Sequence, residues 1–279
     1  MRAAPSPAQS VEDIETELLL EGIFRHYGFD FRNYAPSSLR RRLNKFMQDE
    51  RIPSISALQD RTLHDRRWLD RLLYALSVNV SAMFRDPFFY LTFRSAVVPI
   101  LRTYPFIRIW LAGVSAGEEV YSLAILLEEE EIYDRCRIYA TDMNDAVLKK
   151  AREGIYPLKL MQTYTSNYIR AGGTHSFSHY YTAAYDRAIF RASLRNNVVF
   201  AQHNLATDAS FNEFHFIMCR NVMIYFNKEL QTHVHHLLYQ SLVMFGILGL
   251  GAKETLRFSP HEKAFEEIDS GSKLYRRVA

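Results

Sequence analysis

Cysteine is almost absent from this sequence. Cys136 and Cys219 are the only two in 279 residues, and they stand far apart with no CxxC or Cys/His ligand spacing, which argues against a disulfide framework or a structural zinc site. A reducing cytoplasm is the compartment this usage predicts. An excess of charge of one sign is missing as well: 34 Lys and Arg face 31 Asp and Glu, a formal +3 with pI near 8.7. Bulk charge therefore gives no argument for a nucleic-acid or membrane partner, and only local clusters can matter. Long apolar runs are lacking too. The longest, residues 242–252, is too short and too rich in glycine to span a bilayer, and Met1-Arg2-Ala3-Ala4-Pro5 leads into a polar, acidic segment without the apolar stretch of a signal peptide. A soluble protein with no internal repeat is expected.

What is present is hydrophobic mass, 48% of the chain, enough for one large core plus a small helical one. Residues 1–12 read as a tail rich in Pro, Ser and Ala, and residues 13–78 as an all-α domain. Within it, Ser37 and Ser38 are placed to cap a helix whose Leu39, Leu43, Phe46 and Met47 share one face. Arg41, Lys45 and Gln48 then project on the opposite side with Arg40 and Arg42 on the flanks. This ridge is either a solvated helix face or a landing strip for an acidic partner. A further helix carries Trp68, Leu69, Leu72, Leu73 and Leu76. Residues 79–104 read as a linker and helix, with Asp86 as cap, Pro87 in the first turn and a kink at Pro99.

From Phe106 the period changes, and residues 105–279 read as an α/β domain. Residues 107–111 form a strand, residues 119–131 a helix, residues 137–141 a second strand ending at Asp142, and residues 144–152 its helix. That alternation predicts a parallel sheet. Between about 155 and 197 the pattern breaks into short Tyr-, Ser- and Thr-rich runs that predict a small antiparallel insertion, with residues 198–201 read as one of its runs. A strand at 214–219, a helix at 228–245 and strands at 247–251 and 273–278 complete the domain.

In an open α/β sheet, ligands bind beyond the carboxyl ends of the strands. The loop Ala112-Gly113-Val114-Ser115-Ala116-Gly117 lies there and brings a bare backbone to a helix start. It is not GxGxxG, and Glu118-Glu119 puts negative charge where a pyrophosphate would sit, which argues against a dinucleotide. Asp142 is placed to accept from both ribose hydroxyls of an adenosyl group, most simply S-adenosylmethionine.

At this point the residues resemble a family. The run Ser77-Val78-Asn79-Val80-Ser81-Ala82-Met83-Phe84-Arg85-Asp86 resembles the SVNxTxFFR segment of the chemotaxis receptor methyltransferases, the CheR family. The likeness continues through Gly117-Glu118-Glu119-Val120-Tyr121-Ser122, Tyr139-Ala140-Thr141-Asp142-Met143, His203-Asn204-Leu205 and Cys219-Arg220-Asn221-Val222-Met223-Ile224-Tyr225-Phe226. It implies a Rossmann-like S-adenosylmethionine-dependent methyltransferase domain behind an all-α domain. The implied reaction makes methyl esters on glutamate side chains of methyl-accepting chemotaxis receptors and releases S-adenosylhomocysteine. A carboxylate is already ionised at neutral pH, so such a transfer requires alignment and dryness rather than a general base.

By family position, Asn79, Ser81, Arg85, Ala112, Gly113, Glu119, Asp142 and Met143 would meet the cofactor's amino acid and ribose, and Asn204, Leu205, Arg220 and Asn221 its adenine side. Arg85 is the expected clamp for the acceptor carboxylate, which a guanidinium matches bidentately, and Tyr225 is expected either to add a second hydrogen bond to the acceptor or to cap the cofactor. Arg40, Arg41, Arg42 and Lys45 become docking candidates for the receptor's methylation helices. Without the family, Arg85 could simply pair with Asp86 or Glu118, and Tyr225 could be a core aromatic. His233, His235 and His236 do not share a face and read as surface or core residues rather than metal ligands.

The sequence departs from the family at Ser81 for Thr, Val120 for Pro, and Gly251-Ala252-Lys253-Glu254 for Gly-His-Ser-Glu. The insertion also lacks the Gly-x-Gly-Pro loop of relatives that grip a receptor's C-terminal pentapeptide, which predicts a tether-independent enzyme. Two alternatives stay open: a cofactor-binding signalling module with weak or altered transfer, and a dinucleotide-dependent oxidoreductase, which the fold alone allows.

Overall fold

A computed structural model describes residues 10–77 and 81–279. The chain divides into two compact units, one holding residues up to 78 together with Tyr225–Leu230, the other holding residues 79–224 and 231–279.

The first unit is helical. Helix α1 (Val11–Tyr27) starts where Ser10 Oγ accepts the Asp13 N–H at 3.2 Å, and it stops at Gly28, left-handed at φ 79°, the conformation a helix C-terminus asks of glycine. Helices α2 (Pro36–Asp49), α3 (Ile55–His64) and α4 (Arg66–Leu76) follow. Their apolar faces bury Leu39, Leu43, Phe46, Leu58, Leu69, Leu72 and Leu76. The α2 cap differs from expectation: Ala35 occupies the cap without a side-chain bond and Pro36 opens the helix, its missing N–H costing nothing in the first turn. Met47 is only half-buried. The segment after Ile224 joins this unit, with Ala35 N–H donating to Tyr225 O at 2.7 Å and the Tyr34 and Phe226 rings 5.0 Å apart.

The second unit opens with α5 (Pro87–Thr92), a π-helical turn at Phe93–Val97 and α6 (Val98–Leu101). Asp86 does not cap α5 by its side chain; its carboxylate is drawn instead to Arg220, at 2.8 Å. Next come β1 (Ile107–Ala112), α7 (Glu118–Glu129), β2 (Cys136–Asp142), α8 (Asp145–Glu153), β3 (Ile155–Pro157), α9 (Met161–Arg170), β4 (Tyr181–Ala184), β5 (Arg187–Phe190), β6 (Val198–Gln202), β7 (Phe214–Cys219), α10 (Lys228–Ser241), β8 (Leu242–Leu250), β9 (Phe265–Asp269) and β10 (Leu274–Arg277). The main sheet has the order β6-β2-β1-β7-β8-β10-β9. Its first five strands are parallel, and β10 runs antiparallel to both neighbours. The expected small antiparallel sheet is present as β3-β5-β4.

Residues 198–201 do not belong to that insertion. They form β6, which pairs in parallel with β2 and bears the main sheet's edge. Their Val-Val-Phe-Ala run reads as apolar β-former in either sheet, so composition could not choose the partner. The last helix also ends earlier than the apolar period suggests, at Ser241, and β8 already begins at Leu242. Helix α9 and strand β9 had no distinct signal in the sequence.

Candidate active site

In this order of strands the chain leaves β1 toward β2 on one side and pairs with β7 on the other, so the direction of winding reverses between β1 and β7. Loops diverging there leave a crevice at the carboxyl edge. Gly113 (φ 80°), Ser115 (φ 51°) and Gly117 (φ 92°) are all left-handed. A Cβ on Gly113 would lie 2.5 Å from Val222 Cγ2 in the loop after β7, and one on Gly117 would lie 2.7 Å from Ala151 Cβ of α8. Both glycines are thus required by close approach as well as by φ.

Asp142 ties the rim together. Its Oδ2 accepts the Ser115 N–H at 2.9 Å and its Oδ1 the Asn144 N–H at 3.0 Å, while its backbone O takes His203 N–H at 3.1 Å. Burial pushes the Asp142 carboxyl up, and the N–H groups of Asn144, Ser115 and Met143 oppose that rise. Three backbone N–H groups leave the carboxylate one of its four acceptor positions. Ser115 Oγ is buried with no partner among the described residues.

Segment 81–86 is fixed to the same unit. Phe84 N–H donates to Ser122 Oγ at 2.8 Å, and Asn167 Nδ2 donates to Met83 O at 3.0 Å. Met83 and Phe84 are fully buried, and Phe84 and Asp86 hold φ near 50° and 55°, strain that persists only where packing imposes it. Arg220, at the end of β7, donates to Glu119 Oε1 at 3.1 Å, Asp86 Oδ2 at 2.8 Å and Arg85 O at 3.2 Å. Its guanidinium also lies 4.1 Å from the Phe89 ring centroid. Burial raises the Glu119 carboxyl, and Arg220 opposes the rise. The Arg85 side chain has no hydrogen bond or ion pair among the described residues. It pairs with neither Asp86 nor Glu118, and its charge helps to hold Glu119 down.

The expected cofactor residues Ser81, Arg85, Ala112, Gly113, Glu119, Asp142, Met143, Asn204, Leu205, Arg220 and Asn221 all belong to this unit. Ala112 and Leu205 are buried, and the others except Arg220 are half-buried or backbone-exposed at loop positions. Asn204 Oδ1 caps its own turn by accepting Ala206 N–H at 3.0 Å. Asn79 lies outside the described residues. Tyr225 groups with the helical unit, where Arg42 stands 4.5 Å over its ring.

The basic ridge is less uniform than its spacing implies. Arg42 turns inward to Tyr225 and Leu76 O, Arg40 pairs with Asp13, and Lys45 pairs with Asp49 at 2.9 Å. Arg41 is exposed with no ion pair among the described residues. Two further residues escaped the sequence reading. Ser122 holds Phe84, and Glu254, buried four residues past the end of β8, accepts the N–H groups of Asn221, Val222, Met223 and Gly251. The only signal was their presence inside motif segments. Of the histidines, His235 is buried and its imidazole is lowered to about 4 by that burial, whereas His236 Nδ1 lies 2.9 Å from His261 Nε2.

Fold and rim define an α/β protein that binds a nucleotide-type ligand at the carboxyl edge of a parallel sheet. The chain belongs to the CheR methyltransferase family: the family's SAM binding domain matches residues 79–273 and its all-alpha domain residues 14–77. It is similar to a Pseudomonas putida protein given the name methyltransferase Cher3, with 48% identity covering 95% of this chain and 97% of that one. It also resembles a Listeria innocua chemotaxis protein methyltransferase at 29% identity over 88% and 92% of the two chains. Pseudomonas aeruginosa chemotaxis protein methyltransferase 1 shares 30% identity over 88% and 90%.

S-adenosylmethionine is accordingly the cofactor, and the residues fit it. Asp142 keeps an acceptor position for a ribose hydroxyl, Gly113 brings backbone without a side chain to the rim, and the carboxyl groups of Glu119 and Asp142 suit a cationic sulfonium rather than a pyrophosphate. No helix among the described residues is long and apolar enough to cross a membrane.

Proposed function

We propose that this protein, acting in the cytoplasm, transfers the methyl group of S-adenosylmethionine to glutamate side chains of methyl-accepting chemotaxis receptors, a protein-glutamate O-methyltransferase reaction. The observation that supports this reading is Arg85: a guanidinium whose charge acts on the half-buried Glu119, on a strained and anchored segment, with no carboxylate among the described residues taking its donors. A planar fork of donors suits an incoming carboxylate. Bound S-adenosylmethionine supplies an electrophilic methyl, which passes to a carboxylate oxygen as the carbon–sulfur bond breaks. Arg85 holds the acceptor, Asp142 and the loop at 112–117 hold the adenosyl end, and Arg220 keeps Glu119 and Asp86 fixed around them. Asn79 and Ser81 are assigned to the amino-acid end, and Ala112, Gly113, Met143, Asn204, Leu205 and Asn221 to the walls. Tyr225 is assigned a hydrogen bond to the acceptor. On the helical unit, Arg41 leads the docking set of Arg40, Arg41, Arg42 and Lys45 for acidic receptor helices, because it is exposed and, among the described residues, has no ion pair.

Radiolabelled methyl transfer to receptor-containing membranes tests the reading. The expected product is a base-labile ester, with Arg85→Ala lowering kcat/KM by about a hundredfold, the loss of roughly 3 kcal/mol that a charged contact commonly supplies. Wild-type rates in that variant would remove Arg85 from the site. Binding is also expected to be independent of a receptor C-terminal pentapeptide, and micromolar affinity for one by calorimetry would contradict this.

A further inference from the structure

The loop after β7 contains Arg220 and Asn221, and nothing in its own sequence holds its shape. Asn221 sits at φ 60°, a left-handed conformation that costs a side-chain-bearing residue about 1 kcal/mol or more. A single 3-10 turn, Met223–Tyr225, starts at the end of this stretch, so the amides of Asn221, Val222 and Met223 lie at or before its first residue, where a helix makes no bond of its own. The Glu254 carboxylate lies against all of them: Oε2 accepts from Asn221 N at 2.9 Å and Gly251 N at 2.7 Å, and Oε1 from Val222 N at 2.9 Å and Met223 N at 2.8 Å. Four donors fill the four acceptor positions of one carboxylate. The residue is 5% exposed, so water does not compete.

Gly251 belongs to the same device. A Cβ there would stand 2.7 Å from both Asn221 N and Glu254 Oε2, so only glycine lets the end of β8 come this close. The two residues between them, Ala252 and Lys253, are exposed and take no part in the clamp. The chain therefore keeps the two ends of this tetrapeptide that form the clamp and differs from the family pattern at the two exposed residues between them.

We propose that Glu254 is a positioning residue for cofactor binding, its carboxylate casting the loop at 220–223 into the shape that aims Arg220 at Glu119 and Asp86 and presents Asn221 and Val222 to the crevice. Val222 then meets the Gly113 backbone across the point where the strand order reverses, and one carboxylate on the β8 side sets the spacing of the loops that follow β1 and β7. The proposal rests on S-adenosylmethionine as ligand but not on the acceptor.

Calorimetric titration of the full chain with S-adenosylhomocysteine provides the test. Glu254→Gln turns two of the four acceptor positions into donors facing N–H groups, and its Kd is expected to rise at least tenfold while circular dichroism retains the wild-type spectrum. Glu254→Asp keeps the carboxylate one methylene short and serves if the glutamine variant does not fold; its Kd is expected to rise threefold to tenfold. A lower Tm with Kd unchanged within twofold in the folded variant would reduce Glu254 to a purely structural role and overturn the proposal. Wild-type protein that binds S-adenosylhomocysteine but esterifies no receptor would strike the acceptor reading and leave this one standing.

Discussion

Glu254 and Glu118 are both buried, 5% and 6% exposed, and both serve the loops at the rim of the sheet, yet they are opposite kinds of group. Glu254 has every acceptor position filled by a backbone N–H. Glu118, in the first turn of α7, leaves Oε2 buried without a partner among the described residues. Burial first, then the neighbouring Glu119, push its carboxyl up to about 7, against the pull of its own backbone N–H and of Tyr164. The same side chain thus acts as a hydrogen-bonded clamp on the β7 side and as a proton-holding group on the β1 side. What separates them is the supply of N–H donors, since an unpaired buried charge is neutralised rather than tolerated.

The largest expected effect breaks the clamp side. Arg220→Met leaves Glu119 without its cation, and removing one partner of a buried pair costs about 3–5 kcal/mol. Urea unfolding at neutral pH should show it, and a loss below about 1 kcal/mol would mean that the network is dispensable. The next sharpens the other side through pH. Folded Glu118 keeps its proton up to about 7, whereas the unfolded chain releases it near 4.5. Its contribution is therefore complete below pH 4.5 and is lost as pH rises through 7, a span worth roughly 3 kcal/mol at most. Glu118→Gln should flatten the stability profile between pH 5 and 7.5 relative to wild type. Parallel profiles would show that Glu118 is ionised throughout.

The smallest effect joins the two loops. Gly113→Ala places a methyl 2.5 Å from Val222 Cγ2 at a positive φ, costing about 1–3 kcal/mol and widening the crevice. Val222→Ala in the same chain should recover part of the lost S-adenosylhomocysteine affinity. Additive losses in the double-mutant cycle would separate the loops.

Much of this was legible in the sequence because period and motif report local geometry. The alternation after Phe106, the strand at 214–219 and the glycine loop followed from side-chain spacing alone. Edge strand β6 was misassigned because its apolar run satisfies either sheet, and the choice depends on β2, some sixty residues away. The α2 cap went to Ala35 because Pro36 already fits the first turn, leaving Ser37 and Ser38 inside the helix. Asp86 looked like a cap and became an ion-pair partner because Arg220, 134 residues on, outbids a backbone amide.

By itself the sequence determined the class of the protein and its cofactor, since motifs, φ-demanding glycines and hydrophobic periods are properties of neighbouring residues. Only the tertiary structure decided which arginine is spent on structure and which keeps its donors available. It likewise decided which of two buried glutamates is a clamp, because hydrogen-bond supply and desolvation depend on chain segments brought together by folding.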